Sequence, residues 1–181
     1  LQKEFCERLS DPGRILGGNF IYTSDLFYDS QLIQQLACVF ARKFRDCGAD
    51  YVATVETKGI PLASRVAHLM NIPLVVVRRE AKVSEGSTVS INYFSGSMSK
   101  RAIASGSRVL IIDDFMRGGG SVIGISEMTA EFNASVVGVG VAIASLKPEQ
   151  KKVEDYTCLV YIDDIPTDGK EIPLKPSENI F

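Results

Sequence analysis

The feature that most constrains this chain is a repeated change in apolar spacing, from every third or fourth residue to unbroken runs and back. From Ser30 onward, Leu32, Ile33, Leu36, Val39, Phe40 and Phe44 recur three or four positions apart, which predicts a helix that ends by Gly48. Residues 51–55 are a short β-prone run. Ile60, Ala63, Val66, Ala67 and Met70 then give a second helical stripe, closed by Asn71 with Pro73 just beyond. The continuous apolar run 74–77 suits a strand covered on both faces. Val89, Ile91 and Tyr93 alternate within 87–94, as expected of a half-buried strand forming one arm of a hairpin. A buried strand follows at 108–112, ending in two aspartates. Val122, Ile125, Met128 or Thr129, and Phe132 give a helix that stops near Asn133, and strands follow at 136–144 and 157–162. Three prolines, Pro166, Pro173 and Pro176, predict an extended and irregular tail. Strands alternating with crossover-length helices imply parallel βαβ units: an α/β fold with a twisted, mainly parallel sheet and helices on both faces. With 181 residues, no repeat and no low-complexity linker, one domain spanning 1–181 is the simplest organisation.

Composition narrows the function. The longest strongly apolar run, 136–144, is interrupted by Gly138 and Gly140 and is far shorter than the roughly 20 residues a membrane-spanning helix needs. No charged-then-apolar leader opens the chain. Cys6, Cys38, Cys47 and Cys158 form no C-x-x-C pair, which points to unpaired thiols in a reducing compartment and to a cytoplasmic location. His68 is the only histidine; its place in a predicted helix suits a structural or surface role, and a Ser-His-Asp mechanism would have no other histidine to use. A net charge of −2 does not favour broad nucleic-acid binding. Any DNA contact would come from a local basic patch or from protein outside these residues.

The chemistry is concentrated after three strands, where open α/β sheets place their ligands. After the run 109–112 come Asp113, Asp114, Phe115, Met116, Arg117, Gly118, Gly119, Gly120 and Ser121, leading into a helix. Two adjacent carboxylates in a tight turn suit the neighbouring hydroxyls of a ribose, or a metal held through them. Glycines opening a helix let backbone N–H groups approach a phosphate, and the helix dipole favours the anion. Ser121 adds a hydroxyl to that cradle or serves only as a helix N-cap. A diol reader followed by a phosphate cradle is what a ribose 5-phosphate requires. The second strand end carries Glu56, Thr57, Lys58 and Gly59, with Ile60 and Pro61 opening the next helix, where proline is tolerated. The third carries Arg78, Arg79, Glu80, Ala81 and Lys82. Three cations in five residues read as a solvated turn in isolation, and as a polyanion clamp beside two phosphate loops.

The string 109–121 resembles the phosphoribosyl pyrophosphate (PRPP) signature of the type I phosphoribosyltransferases: a hydrophobic strand, two acidic residues and a small-residue loop. Gly118 stands where those enzymes usually carry threonine, and Ser121 where the signature usually ends in threonine. The stretch 56–59 resembles the family's pyrophosphate loop, which implies a cis peptide near Glu56-Thr57. Beyond these motifs, 8–16, 57–63, 83–93 and 111–116 together resemble the purine operon repressors of Gram-positive bacteria over nearly the whole chain. That resemblance implies the type I phosphoribosyltransferase fold with a small hood, working as an effector domain. It implies ribose contacts from Asp113 and Asp114, and 5-phosphate contacts from Phe115 through Ser121. Pyrophosphate contacts would come from Glu56, Thr57, Lys58, Gly59, Arg78, Arg79 and Lys82. PRPP would be the effector, with Mg²⁺ as its companion ion and no catalytic residue. The partners implied are operator DNA, reached through an N-terminal winged-helix domain not represented in these residues, and a second copy in a homodimer. The alternative is an active purine phosphoribosyltransferase that transfers phosphoribose from PRPP to a base.

Overall fold

The computed structural model describes residues 1–17, 20–78, 88–90, 97–99, 102–146, 152–163 and 171–180. The chain opens with α1 (Gln2–Leu9), a single 3-10 turn (Pro12–Arg14), and a two-stranded hairpin of β1 (Ile15–Gly17) and β2 (Phe20–Ile21). Then come α2 (Ser30–Lys43), β3 (Tyr51–Val55), α3 (Ile60–Met70) and β4 (Leu74–Val77). A second hairpin pairs β5 (Thr88–Ser90) with β6 (Ser97–Ser99). The remainder is β7 (Arg108–Met116), α4 (Gly120–Ala130), β8 (Ser135–Ser145), β9 (Thr157–Ile162) and β10 (Leu174–Pro176).

Six strands form one sheet in the order β10-β9-β8-β7-β3-β4, parallel throughout except where β10 runs antiparallel to β9. Helices cover both faces, as their apolar stripes require. On one side, Phe5 and Leu9 of α1, Leu36 and Phe40 of α2 and Leu62 and Val66 of α3 pack with Val52, Leu110 and Ile112. On the other, Val122, Ile125 and Met128 of α4 pack with Ala53, Val109, Ile111 and Val141. Gly138 and Gly140 of β8 allow the first layer to close. A Cβ on Gly140 would sit 2.8 Å from Ile112 Cδ1 and 2.9 Å from Phe40 Cδ1, so the α2 aromatics rest on bare backbone.

Local chemistry sets the helix ends. The Asp29 carboxylate accepts from the Gln31 and Leu32 N–H groups, both at 3.0 Å, and caps α2. Asn71 closes α3 in the left-handed region at φ 54°, the ending its sequence predicts. Arg14 ties the first hairpin down. Its guanidinium donates to Asp25 at 2.6 and 2.8 Å, to the Arg8 carbonyl at 2.6 Å and to the Tyr22 carbonyl at 3.1 Å.

The structure departs from the sequence expectations at four places. The tail is not wholly irregular: Leu174–Pro176 pairs with β9 as an edge strand, where a proline lacking an N–H is tolerated. β4 lies at the end of the sheet, with Val75 and Val77 buried and Leu74 and Val76 only partly so, so it is not covered on both faces. β7 runs on through both aspartates to Met116, and they sit inside the strand, not in a turn beyond it. The helix α1 carried no prediction; its buried residues, Phe5 and Leu9, are too few for a periodic signal in eight residues. His68 is exposed on α3, and none of the four cysteines is in a disulfide, with Cys158 buried. Among the described residues no helix is long and apolar enough to cross a membrane.

Candidate functional site

The sheet order places the site. From β3 the chain moves to one side, through α3 to β4; from β7 it moves to the other, through α4 to β8. β3 and β7 are neighbours, and their following helices pack on opposite faces. The connections leaving their carboxyl ends therefore diverge and open a crevice, the switch point where open α/β sheets take ligands.

A cleft of about 550 Å³ fills that crevice. Its lining brings together the two main motifs: Glu56, Thr57 and Lys58 from the first loop, and Asp113, Asp114, Phe115, Arg117 and Ser121 from the second. Val55 completes the lining, while Ile21 of β2 and Thr23 just after it reach the cleft from the N-terminal part of the chain. An adjoining cleft of about 330 Å³ is lined by Asp113, Phe115, Arg117, Ser121 and the glycine turn.

The loop 56–59 is short and anchored. The Glu56 N–H donates to the Val77 carbonyl at 3.0 Å, and the Glu56–Thr57 peptide is cis, as the resemblance implied. Thr57 and Lys58 are exposed and Gly59 is buried. Gly59 admits no side chain, because a Cβ there would run into both Thr54 Oγ1 and Asp113 Oδ1. The missing side chain is what lets β3, α3 and the β7 carboxylate meet.

Asp113 and Asp114 are 7% and 8% exposed, buried in spite of their charge. Asp113 Oδ1 accepts the Asp114 N–H at 2.9 Å. Burial pushes the Asp114 carboxyl above the usual carboxylate range, opposed by its hydrogen bond with Asp113 and by the charge of Lys58. The Lys58 cation, exposed on the cleft lining, thus acts on Asp114.

The glycine turn does its work through backbone. Gly119 has φ 83° and is the N-cap of α4, a conformation that favours glycine. A Cβ there would also meet Val153 Cγ2 at 2.6 Å. The Lys152 N–H donates to the Gly118 carbonyl at 3.0 Å and pins the turn from outside. Around Gly120 the space is open; no atom lies within 4 Å of where its Cβ would be. The first N–H groups of α4 have no intrahelical acceptor and carry the positive end of the helix dipole. Ser121 is not the N-cap; it sits in the first turn of the helix and lines both clefts. Met116 points into the core beneath α4, 3% exposed, so its contribution to the turn is through the main chain.

The third motif is divided. Arg78 lies outside the cleft lining and pairs with Glu56 at 3.6 Å, bracing the loop. Arg79 and Lys82 lie outside the described residues. Sequence reasoning missed Ile21, Thr23, Thr54 and Val153. None belongs to a motif, and only tertiary packing brings them to these loops.

A buried carboxylate pair, an exposed cation and a helix N-terminus behind a glycine turn thus line one crevice, a combination chemically suited to an anion that carries hydroxyls. The phosphoribosyl transferase domain model matches residues 26–178. The purine biosynthesis transcriptional repressor of Bacillus subtilis is 40% identical over 93% of this chain and 62% of its own length. The purine biosynthesis transcriptional activator of Lactococcus lactis is 34% identical over 100% of the chain and 69% of its own length. The xanthine phosphoribosyltransferase of Streptococcus pyogenes is 30% identical over 82% of this chain and 84% of its own. Among solved structures, adenine phosphoribosyltransferase from Thermoanaerobacter pseudethanolicus superposes with a TM-score of 0.75 at 20% identity, covering 88% of this chain and 99% of that one. The chain spans about two thirds of the length of the regulators it matches. It belongs to the phosphoribosyl transferase domain family, and over most of its length it is similar to the purine biosynthesis transcriptional regulators of Gram-positive bacteria.

Proposed function

We propose that this domain senses PRPP for a regulator of purine biosynthesis genes, and that PRPP occupancy alters the affinity of the whole protein for operator DNA. One observation carries the reading: the two loops that could hold the two ends of PRPP open on a single cleft, with the carboxylate pair between them. Asp113 and Asp114 would accept hydrogen bonds from the ribose hydroxyls. Arg117 and the main chain of the 116–121 turn, with Ser121, would hold the 5-phosphate at the N-terminus of α4. The backbone of Glu56 through Gly59 would frame the pyrophosphate, with Lys58 as its charge partner and Arg78 acting through Glu56. Arg79 and Lys82 belong to the same proposal as further pyrophosphate contacts.

Mg²⁺ fits as a companion of the ligand. Among the described residues no cluster of three or more His, Cys, Asp or Glu is placed to hold a metal ion. A divalent ion here would depend largely on the ligand's own phosphate oxygens, the usual habit of Mg²⁺, and would supply charge neutralisation.

A ligand changes DNA affinity only by binding unequally to DNA-competent and DNA-incompetent states. PRPP would do so by drawing the loops after β3 and β7 together. It would also neutralise the cationic mouth formed by Lys58 and Arg117, both exposed, which DNA phosphates could otherwise meet. Operator contact would require protein beyond these residues, with a winged-helix module and a homodimer as the arrangement the resemblance implies. If the salt dependence of DNA binding by the full-length protein is unchanged by PRPP, direct competition is wrong.

A non-catalytic role is supported by Gly118 in place of the signature threonine and by the absence from 78–86 of the histidine to which a similar stretch continues in orotate-type phosphoribosyltransferases. The second reading, a purine phosphoribosyltransferase, is favoured by the similarity to the xanthine enzyme. Calorimetry with PRPP, with and without Mg²⁺, followed by incubation with PRPP, Mg²⁺ and each purine, separates the two. The sensor binds PRPP saturably and releases no pyrophosphate when a base is added. Base-dependent turnover would replace the sensor reading with the enzyme.

A further inference from the structure

Thr54 lies on β3 next to Val55 of the cleft lining and is 0% exposed. Its Oγ1 has no hydrogen-bond partner among the described residues. A buried hydroxyl in that condition is rare and costs stability, and valine, a better β-former of nearly the same shape, would remove the cost. The hydroxyl is not remote from the proposed chemistry. Thr54 Oγ1 and Asp113 Oδ1 both close in on the point where a Cβ on Gly59 would stand, and such a Cβ would run into both. Asp113 Oδ1 accepts the Asp114 N–H, and a carboxylate oxygen can accept from more than one donor.

We propose that Thr54 is a positioning residue for effector recognition: its hydroxyl donates to Asp113 when ligand draws the 56–59 loop and the carboxylate pair together, fixing the orientation of Asp113 toward the ribose hydroxyls. This rests on the PRPP reading. The unliganded domain carries the cost of the unpaired hydroxyl, and the bound domain recovers it, so part of the binding free energy comes from a group that never touches the ligand. Gly59 is the hinge of the arrangement, because only a residue without a side chain leaves the path between the two oxygens open.

Two substitutions test this, with PRPP affinity and melting temperature read on each. Thr54→Val keeps the shape and deletes the donor; its melting temperature without ligand equals or exceeds wild type, while PRPP binds about tenfold more weakly, the effect of one hydrogen bond to a charged group. Thr54→Ser keeps the donor and deletes a methyl group; it melts lower, and PRPP affinity stays within about twofold of wild type, a difference of a few tenths of a kcal/mol. Stability and affinity moving in opposite directions in the two variants is something a merely structural threonine does not produce. If Thr54→Val melts lower with unchanged affinity, the hydroxyl is satisfied in both states and the proposal fails while the PRPP reading stands. If wild type itself does not bind PRPP, the PRPP reading fails and this inference falls with it.

Discussion

Asp114 holds a carboxylate where burial opposes its charge, with Asp113 and Lys58 as partial compensation. Its proton affinity in the folded domain is raised above that of the unfolded chain, so the folded state binds more protons between the two pKa values. Its contribution to stability is therefore most favourable below the unfolded carboxylate value and is lost as pH rises through the folded value. Asp114→Asn should accordingly melt higher than wild type at neutral pH, and the difference should shrink in thermal melts as pH falls below the folded value. The same variant should bind PRPP roughly 10- to 100-fold more weakly, since it replaces a charged acceptor. A variant that gains stability and keeps its affinity would place the ribose elsewhere.

At the scale of elements, the close approach of α2 to the sheet depends on glycine in β8. Gly140→Ala would put a methyl group against Ile112, Phe40 and Phe44, and overpacking of this kind costs about 1–3 kcal/mol. Urea denaturation should report that loss, while PRPP affinity stays close to wild type because the substitution lies on the α2 face of the sheet, away from the cleft lining. Gly59→Ala has the opposite profile. Its Cβ would displace Asp113 or Thr54, so titration calorimetry should register a drop in PRPP affinity of at least tenfold, the size of effect expected for a disturbed charge-assisted hydrogen bond.

For the molecule as a whole, the cleft is assembled from four separate parts of the chain, near residues 21–23, 55–58, 113–117 and 121. A ligand that bridges them stabilises the folded domain by mass action. At 100 times its dissociation constant PRPP should add about 2.7 kcal/mol, which for a domain of this size raises the melting temperature by roughly 5–10 °C. Differential scanning fluorimetry with PRPP, and with inorganic pyrophosphate as a control, reads this directly. No shift with PRPP would mean that the cleft has lost its ligand.

The sequence by itself determined the alternation of strands and helices, the left-handed stop at Asn71 and the two loops that carry the candidate chemistry. These are encoded locally, in the spacing of apolar residues and in side chains that complete backbone hydrogen bonds within a few positions. Tertiary structure alone decided that β3 and β7 are neighbours, which turns two loops more than fifty residues apart into one cleft. It decided that Asp113 and Asp114 lie buried within a strand, that Pro176 joins an edge strand, and that Ile21, Thr23 and Thr54 stand at the site. Strand order and burial depend on how side chains distant in sequence fill shared space, and no local pattern records that.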